Sequence, residues 1–233
     1  MKFNTNSNVY IIIYSVVMVV IVAVLLSLAA LGLKPRQDEN ILNEKKTQIV
    51  KALGYDAATT AYGDVVAEAL LLNADGAVVE SDVAKVFEAL QSVKDTRDAG
   101  QFPIFKATDG SVVVPLYGAG LWGPIWGYIG FEGDLKTIKA VCFGHKGETP
   151  GLGAKIADEP SFAEAFVGKT VGEGDVLFEI AKPANRQTEN NGVDAISGAT
   201  ITSQALGKTL NQWFGFYQNY FAKNVEPANT VEE

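Results

Sequence analysis

Two short segments hold most of the residues whose type and spacing could do chemistry. They are Glu148-Thr149-Pro150-Gly151-Leu152-Gly153-Ala154-Lys155 and Asp194-Ala195-Ile196-Ser197-Gly198-Ala199-Thr200-Ile201-Thr202-Ser203. The second runs into a long stretch of helical apolar periodicity, so it falls where a helix begins. Backbone N–H groups at such a point lack partners within the helix, and the helix dipole is positive there, which suits a phosphate. Gly198 and Ala199 are small enough to let that phosphate reach the backbone, and the hydroxyls of Ser197, Thr200 and Thr202 surround it. A helix cap without a ligand uses the same residue types. Helix chemistry alone leaves both readings open.

Composition narrows the chemistry further. The 233 residues carry 19 basic and 27 acidic side chains, for a net charge of −8, with no Lys/Arg cluster. A nucleic-acid partner would call for a basic face, so none is expected. The single Cys142 excludes a disulfide within this chain and a four-cysteine zinc or iron–sulfur centre. The single His145 excludes multi-histidine metal sites, and no metal ligand set is assigned. His145 stands between Gly144 and Lys146 and reads as a turn or surface residue rather than a catalytic base. Redox chemistry in such a chain needs an organic cofactor.

Other nucleotide patterns fail on context. Gly118-Ala119-Gly120-Leu121-Trp122-Gly123 spells G-x-G-x-x-G, but Pro124, Gly127 and Gly130 follow it, where a dinucleotide fingerprint requires a helix. It reads as a glycine-rich turn between strands. Gly168-Lys169-Thr170 and Gly207-Lys208-Thr209 resemble the end of a P-loop, but its first glycine would fall on Ala163 and Thr202.

The positioning elements follow from periodicity. Phe3 to Leu33 is free of charge, and its dense apolar centre from Val9 to Leu31 spans about 35 Å as a helix, enough for a bilayer core of about 30 Å. Ser27-Leu28-Ala29 offers a small-x-small cleavage site, so a secretory leader competes with a retained anchor. The length of the run and the lone Lys2 before it favour a single-pass anchor ended by Pro35. Ile41 to Leu53 reads as an amphipathic helix stopped by Gly54, and Asp82 to Val93 as a second. Ser111–Tyr117, Ile125–Phe131, Leu135–Phe143 and Val176–Ala181 read as strands. A short helix covers Asp158 to Phe166. A long one covers about Ile201 to Ala222, with Ile201, Ala205, Leu206, Leu210, Trp213, Phe214, Tyr217 and Phe221 as its apolar stripe. The expected organisation is an N-terminal segment (1–8), a transmembrane helix (9–33), a helical lead-in (34–110), a domain at 111–223 and a tail (224–233). The fold class is α+β: one transmembrane helix, then a small antiparallel sheet with flanking helices.

With those elements placed, the two segments carry a family resemblance. Ser197-Gly198-Ala199-Thr200, preceded by Asp194, resembles the S/T-G-A-T flavinylation motif of the FMN-binding domain family. Glu148 to Gly153 resembles that family's E-T-P-G-L-G flavin-contacting loop. Tyr117 to Gly127, read as Y-G-x-G-L-W-G-x-x-x-G, and Gly32-Leu33-Lys34-Pro35-Arg36-Gln37 after the apolar run resemble the C subunit family of sodium-pumping NADH:quinone reductases. The likeness spans essentially the whole chain. The G subunit of the Rnf electron-transport complex shares the two flavin motifs but differs at the Leu-Trp-Gly-Pro segment and after the anchor.

The resemblance implies one covalent FMN, its phosphate esterified to Thr200. Ser197, Gly198, Ala199 and Thr202 would then contact phosphate and ribityl, and Thr149, Gly151, Leu152 and Gly153 the isoalloxazine. Leu121 and Trp122 are candidates for its other face, with ordinary core packing the competing reading of Trp122. It also implies a separate flavin transferase that draws on FAD and Mg2+, with AMP released. Other subunits of the complex would oxidise NADH and reduce quinone, while this chain relays electrons and the complex drives Na+ export. The location implied is a bacterial inner membrane, crossed once, with the flavin domain on the periplasmic side. The alternatives are the Rnf G-type subunit and a membrane-anchored FMN-domain protein that binds without electron transfer.

Overall fold

A computed structural model describes residues 7–185 and 189–224. The tail expected after Asn224 lies outside the described residues. The chain divides into two compact units, Met1–Lys45 and Lys46–Glu233.

The first unit is the start of helix α1 (Asn8–Ala52), the one helix among the described residues long and apolar enough to cross a membrane, with a mean hydropathy of 3.1 over its most apolar window. Its side chains from Val9 to Leu33 are exposed on every face. A helix apolar all round has no core-facing stripe and fits a single-pass anchor. Pro35 does not end this helix, contrary to the sequence expectation. Proline removes one backbone hydrogen bond but keeps a helical φ, and Arg36 to Lys51 is rich in strong helix formers that carry the helix onward. Lys34 also pairs with Asp38 at 3.6 Å, one turn apart across the proline.

In the second unit α1 ends as the pattern predicts. Ile49, Val50, Ala52 and Leu53 are buried, and Gly54 takes φ +80° to terminate the helix. There follow α2 (Tyr62–Val65), β1 (Val66–Asn73), β2 (Val78–Glu80), α3 (Val83–Ala89), α4 (Val93–Asp98) and β3 (Gln101–Ala107). β4 (Val112–Ala119), β5 (Pro124–Phe131) and β6 (Ile138–His145) complete an antiparallel six-stranded sheet ordered β2-β1-β3-β4-β5-β6. Then come α5 (Lys155–Asp158), α6 (Pro160–Glu164), the parallel pair β7 (Glu179–Ala181) and β8 (Gly192–Asp194), and α7 (Thr200–Asn224).

The stretch 34–110 is therefore not a helical lead-in. It supplies three of the six sheet strands. β1 is spelled Val-Ala-Glu-Ala-Leu-Leu-Leu-Asn, mostly helix formers, and becomes a strand because pairing with β3 buries Leu70, Leu71 and Leu72. Two expected strands start late for local reasons. The Asp134 carboxylate accepts the N–H groups of Lys136 and Thr137, and Leu135 takes φ +55°, so a turn precedes Ile138. The Asn211 side chain on α7 accepts the N–H groups of Leu177 and Phe178, which holds them off a ladder until Glu179.

α7 is the central pillar. Leu206, Leu210, Trp213, Phe214, Tyr217 and Phe221 are buried along one face, whereas Ile201, expected on that stripe, is exposed. Trp213 Nε1 donates to the Tyr117 carbonyl and the Tyr217 hydroxyl to the Pro103 carbonyl, each at 2.7 Å. These bonds satisfy polar atoms that burial would otherwise strand.

The end of α1 is seated on the sheet at Gly130, where an added Cβ would collide with the Ala52 carbonyl oxygen. Beside it Lys139 Nζ donates to Asp109 Oδ2 (2.6 Å) and Ser111 Oγ (2.8 Å), and the Tyr55 hydroxyl donates to the same Asp109 oxygen (3.1 Å). Partial burial raises the Asp109 pKa, but the bonds from Lys139, Ser111 and Tyr55 outweigh it and hold the carboxyl well below its usual range.

Gly130→Ala is expected to cost about 2–4 kcal/mol by forcing the α1 terminus off β5, read as a lowered Tm of the detergent-solubilised chain. A depressed folded pKa stabilises above the unfolded value of about 4 and loses that contribution as pH falls through the folded one. Acid melting curves of Asp109→Asn should therefore be flatter with pH than those of the parent.

Candidate functional site

Local sequence places three segments at one end of α7. The β4–β5 turn carries Leu121 and Trp122, the loop after β6 carries Glu148 to Gly153, and Ser197 to Thr202 leads into α7. The G-x-G-x-x-G pattern thus sits in a strand-to-strand turn, as its composition predicts, with the Gly120 N–H donating to the Gly123 carbonyl at 2.8 Å.

Thr200 opens α7 and is half-buried. The approach to it is fixed by two bonds: the Ser203 hydroxyl accepts the Ile196 N–H at 3.0 Å, and the Ala199 N–H donates to the Ile196 carbonyl at 3.0 Å. Ala199 is buried beneath the turn, whereas Ser197 and Gly198 face solvent. Gly198 takes φ +78°, and an added Cβ would stand 3.0 Å from Leu152 Cδ2, so the second and third segments touch here. Thr202 is turned inward at 1 % exposure.

The loop after β6 folds on itself. The Thr149 carbonyl accepts the N–H groups of Leu152 and Ala154, both at 3.1 Å, and Gly151 supplies φ +75° at the tip. Thr149 and Gly151 are exposed and Gly153 is buried. His145 is the last residue of β6, paired with Ile125 and half-buried, so it is a strand residue rather than the turn or surface residue expected, with Nδ1 accepting the Glu148 N–H at 3.3 Å.

Glu148 joins all three segments. Its Oε2 accepts the Thr202 hydroxyl at 2.6 Å and its Oε1 accepts the Trp122 N–H at 2.8 Å. Burial pushes this carboxyl up, but the bonds from Thr202, Trp122 and Leu121 prevail and keep it below its ordinary value, hence ionised at neutral pH. Sequence reasoning assigns this residue nothing beyond the head of a motif. An acid among glycines and apolar residues is the only hint, and its partner Thr202 lies 54 positions away.

Above this buried polar junction the surface is apolar. Trp122 is 69 % exposed, Leu121 45 % and Leu152 44 %. Trp122 is therefore no core residue, and the packing reading of it does not hold. Large apolar side chains left in solvent beside hydroxyls and free helix N–H groups make a surface for a ligand with a flat apolar part and an anionic part. Ser197 also lines a groove of about 740 Å³ with Lys155, Ser161, Phe162 and Lys169.

Known proteins resemble this chain along most of its length. Residues 120–215 match the family described as FMN-binding domain. The C subunit of the Na(+)-translocating NADH-quinone reductase from Neisseria meningitidis serogroup A is 30% identical, over 92% of this chain and 92% of that protein. The same subunit from Haemophilus ducreyi is also 30% identical with the same coverage. The crystal structure of the Parabacteroides distasonis C subunit superposes with a TM-score of 0.70 at 36% identity, covering 81% of this chain and 96% of that one.

Gly153→Ala places a methyl against Glu148 Oε2 and 2.7 Å from Thr202 Oγ1. It should lower stability by about 1–3 kcal/mol in a thermal melt of the cofactor-free protein, whereas Gly147→Ala, with room around it, should change little.

Proposed function

Because this chain belongs to the C subunit family of the Na+-translocating NADH-quinone reductases, we propose that it is a flavin-bearing electron relay in such a complex, with one FMN held through its phosphate on Thr200. The observation that carries this reading is the position of Thr200, half-exposed at the first turn of a 25-residue helix and beside an exposed apolar rim. The residues fit the group. The N–H groups of the first α7 turn and the dipole behind them favour a phosphodiester charge. Gly198 and Gly151, both at positive φ, keep the approach free of side chains. Ser197 adds a hydroxyl in solvent, and Ala199 fills the floor without blocking the entrance.

When bound, FMN supplies reversible electron storage that no side chain of this protein offers. The chain's own residues hold and shield it. Leu152, Leu121 and Trp122 offer apolar faces to the isoalloxazine, with Thr149, Gly151 and Gly153 presenting backbone and hydroxyl groups at its edge. The Thr202 hydroxyl bonds inward to Glu148, so its side chain orders the helix start. Its contact with the phosphate then falls to its backbone N–H in the first α7 turn.

Thr200 receives FMN from FAD through a separate flavin transferase that uses Mg2+, with AMP released. Among the described residues no histidine bond reaches Thr200, and His145 is engaged with the Glu148 N–H, so the activating base comes from that enzyme. The glycine pattern that imitates a dinucleotide fingerprint is a hairpin turn, which supports NADH oxidation and quinone reduction in partner subunits. Electrons pass through this chain between their centres, and the complex exports Na+. α1 crosses a bacterial inner membrane once, and the family resemblance supports a periplasmic flavin domain.

The chain produced together with its transferase should give a fluorescent band on a denaturing gel under ultraviolet light, and Thr200→Ala should abolish it. A band surviving that substitution would move the attachment elsewhere. Purification in mild detergent should bring down multi-spanning and NADH-oxidising subunits.

A further inference from the structure

We propose that Glu148 is a positioning residue for the flavin: its buried carboxylate draws the three site segments into one arrangement and fixes a negative charge beneath the isoalloxazine surface. This deepens the reading that FMN is carried on Thr200, and rests on it.

The geometry is specific. Glu148 is 4 % exposed, yet both oxygens are engaged, one by the Thr202 hydroxyl at 2.6 Å and the other by the Trp122 N–H at 2.8 Å. Thr202 belongs to the phosphate end of the site and Trp122 to its apolar rim, so one side chain sets their separation. Two glycines make room for it. An added Cβ at Gly120 would stand 2.6 Å from Oε1, and one at Gly153 would meet Oε2. A carboxylate is costly to bury unless its lone pairs are filled. Here they are filled by groups of the binding surface itself, rather than by a lysine or arginine.

Two consequences follow from charge and shape. A fixed negative charge opposes the arrival of electrons nearby, so it lowers the reduction potential of the flavin. Segments already tied together need no reordering on attachment, which favours rapid flavin loading. Gln at 148 separates the effects. Its carbonyl oxygen can take the Trp122 N–H while its amide donates to the Thr202 oxygen, so the shape survives and the charge is lost. Alanine removes both.

The test compares the full chain, Glu148→Gln and Glu148→Ala, each flavinylated by the transferase from FAD and followed by spectroelectrochemistry and loading rate. Glu148→Gln should load within about threefold of the parent while its FMN potential moves positive. Glu148→Ala should load at least about tenfold more slowly, with faster amide exchange at 120–123. An unmoved potential in Glu148→Gln, in protein with a parental circular-dichroism melt, overturns the inference, as does parental loading by Glu148→Ala. If Glu148→Ala does not fold, Glu148→Gln alone decides. A parent chain with no FMN on Thr200 would instead defeat the reading beneath.

Discussion

The burial of one face of α7 is the constraint on which the other features depend. Trp213, Phe214 and Tyr217 are each essentially inaccessible to solvent, and side chains of this size contribute about 1.5–3 kcal/mol apiece on burial. Trp213 and Tyr217 also reach carbonyls on β4 and β3, so the helix is fixed in rotation as well as in depth. Rotation decides the site. With the aromatic face inward, Thr202 and Ser203 at the first turn must also point inward, while Thr200 and Ile201 turn toward solvent. A helix loose by one residue step, about 100°, would exchange these roles.

Electrostatics is arranged around that rotation. The protein carries a net charge of −8, yet the start of α7 proposed for the phosphate offers backbone dipoles and hydroxyls, with Lys155 and Lys169 lining the groove beside Ser197. The buried acid Glu148 is held by the Thr202 hydroxyl and the Trp122 N–H, with His145 as its charged neighbour and no lysine or arginine bonded to it among the described residues. Charged pairs do appear elsewhere, as where Lys139 and Asp109 lock the end of α1 to the sheet. One arrangement serves attachment of the helix, the other serves the site, and they do not overlap.

Sequence makes the site legible as residues but not as a volume. Thr200, Gly198, Leu152 and Trp122 can be named because glycines, hydroxyls and aromatics cluster in recognisable strings. The α7 stripe is legible because its period is unambiguous from Leu206 to Phe221. Ile201 departs from it because, at about 100° per residue, the buried face reaches the first turn at Thr202 and Ser203 and leaves Ile201 on the opposite side. β1 and β3 are hidden for a different reason: Ala, Leu and Glu in β1 favour a helix, Pro103 sits inside β3, and pairing with neighbouring strands makes each a strand. Pro35 misleads in the opposite direction, because a long helix tolerates the loss of one hydrogen bond. The bond between Glu148 and Thr202 is not legible at all, since nothing local ties positions so far apart.

The contribution of 34–110 to the sheet bears on how the part beyond the membrane segment can be isolated. A fragment begun at Ser111, where the pattern changes from helical to extended, would lose β3 and leave the backbone edge of β4 bare. It would also strip Phe102 from its stack on Phe216 and deprive the Tyr217 hydroxyl of the Pro103 carbonyl. Such a truncated piece would offer a raw strand margin and an uncovered aromatic ridge side by side, the combination that drives open sheets to aggregate. The shortest self-sufficient excision therefore begins upstream of the buried turn Ile49–Leu53, inside the helix that the membrane segment starts.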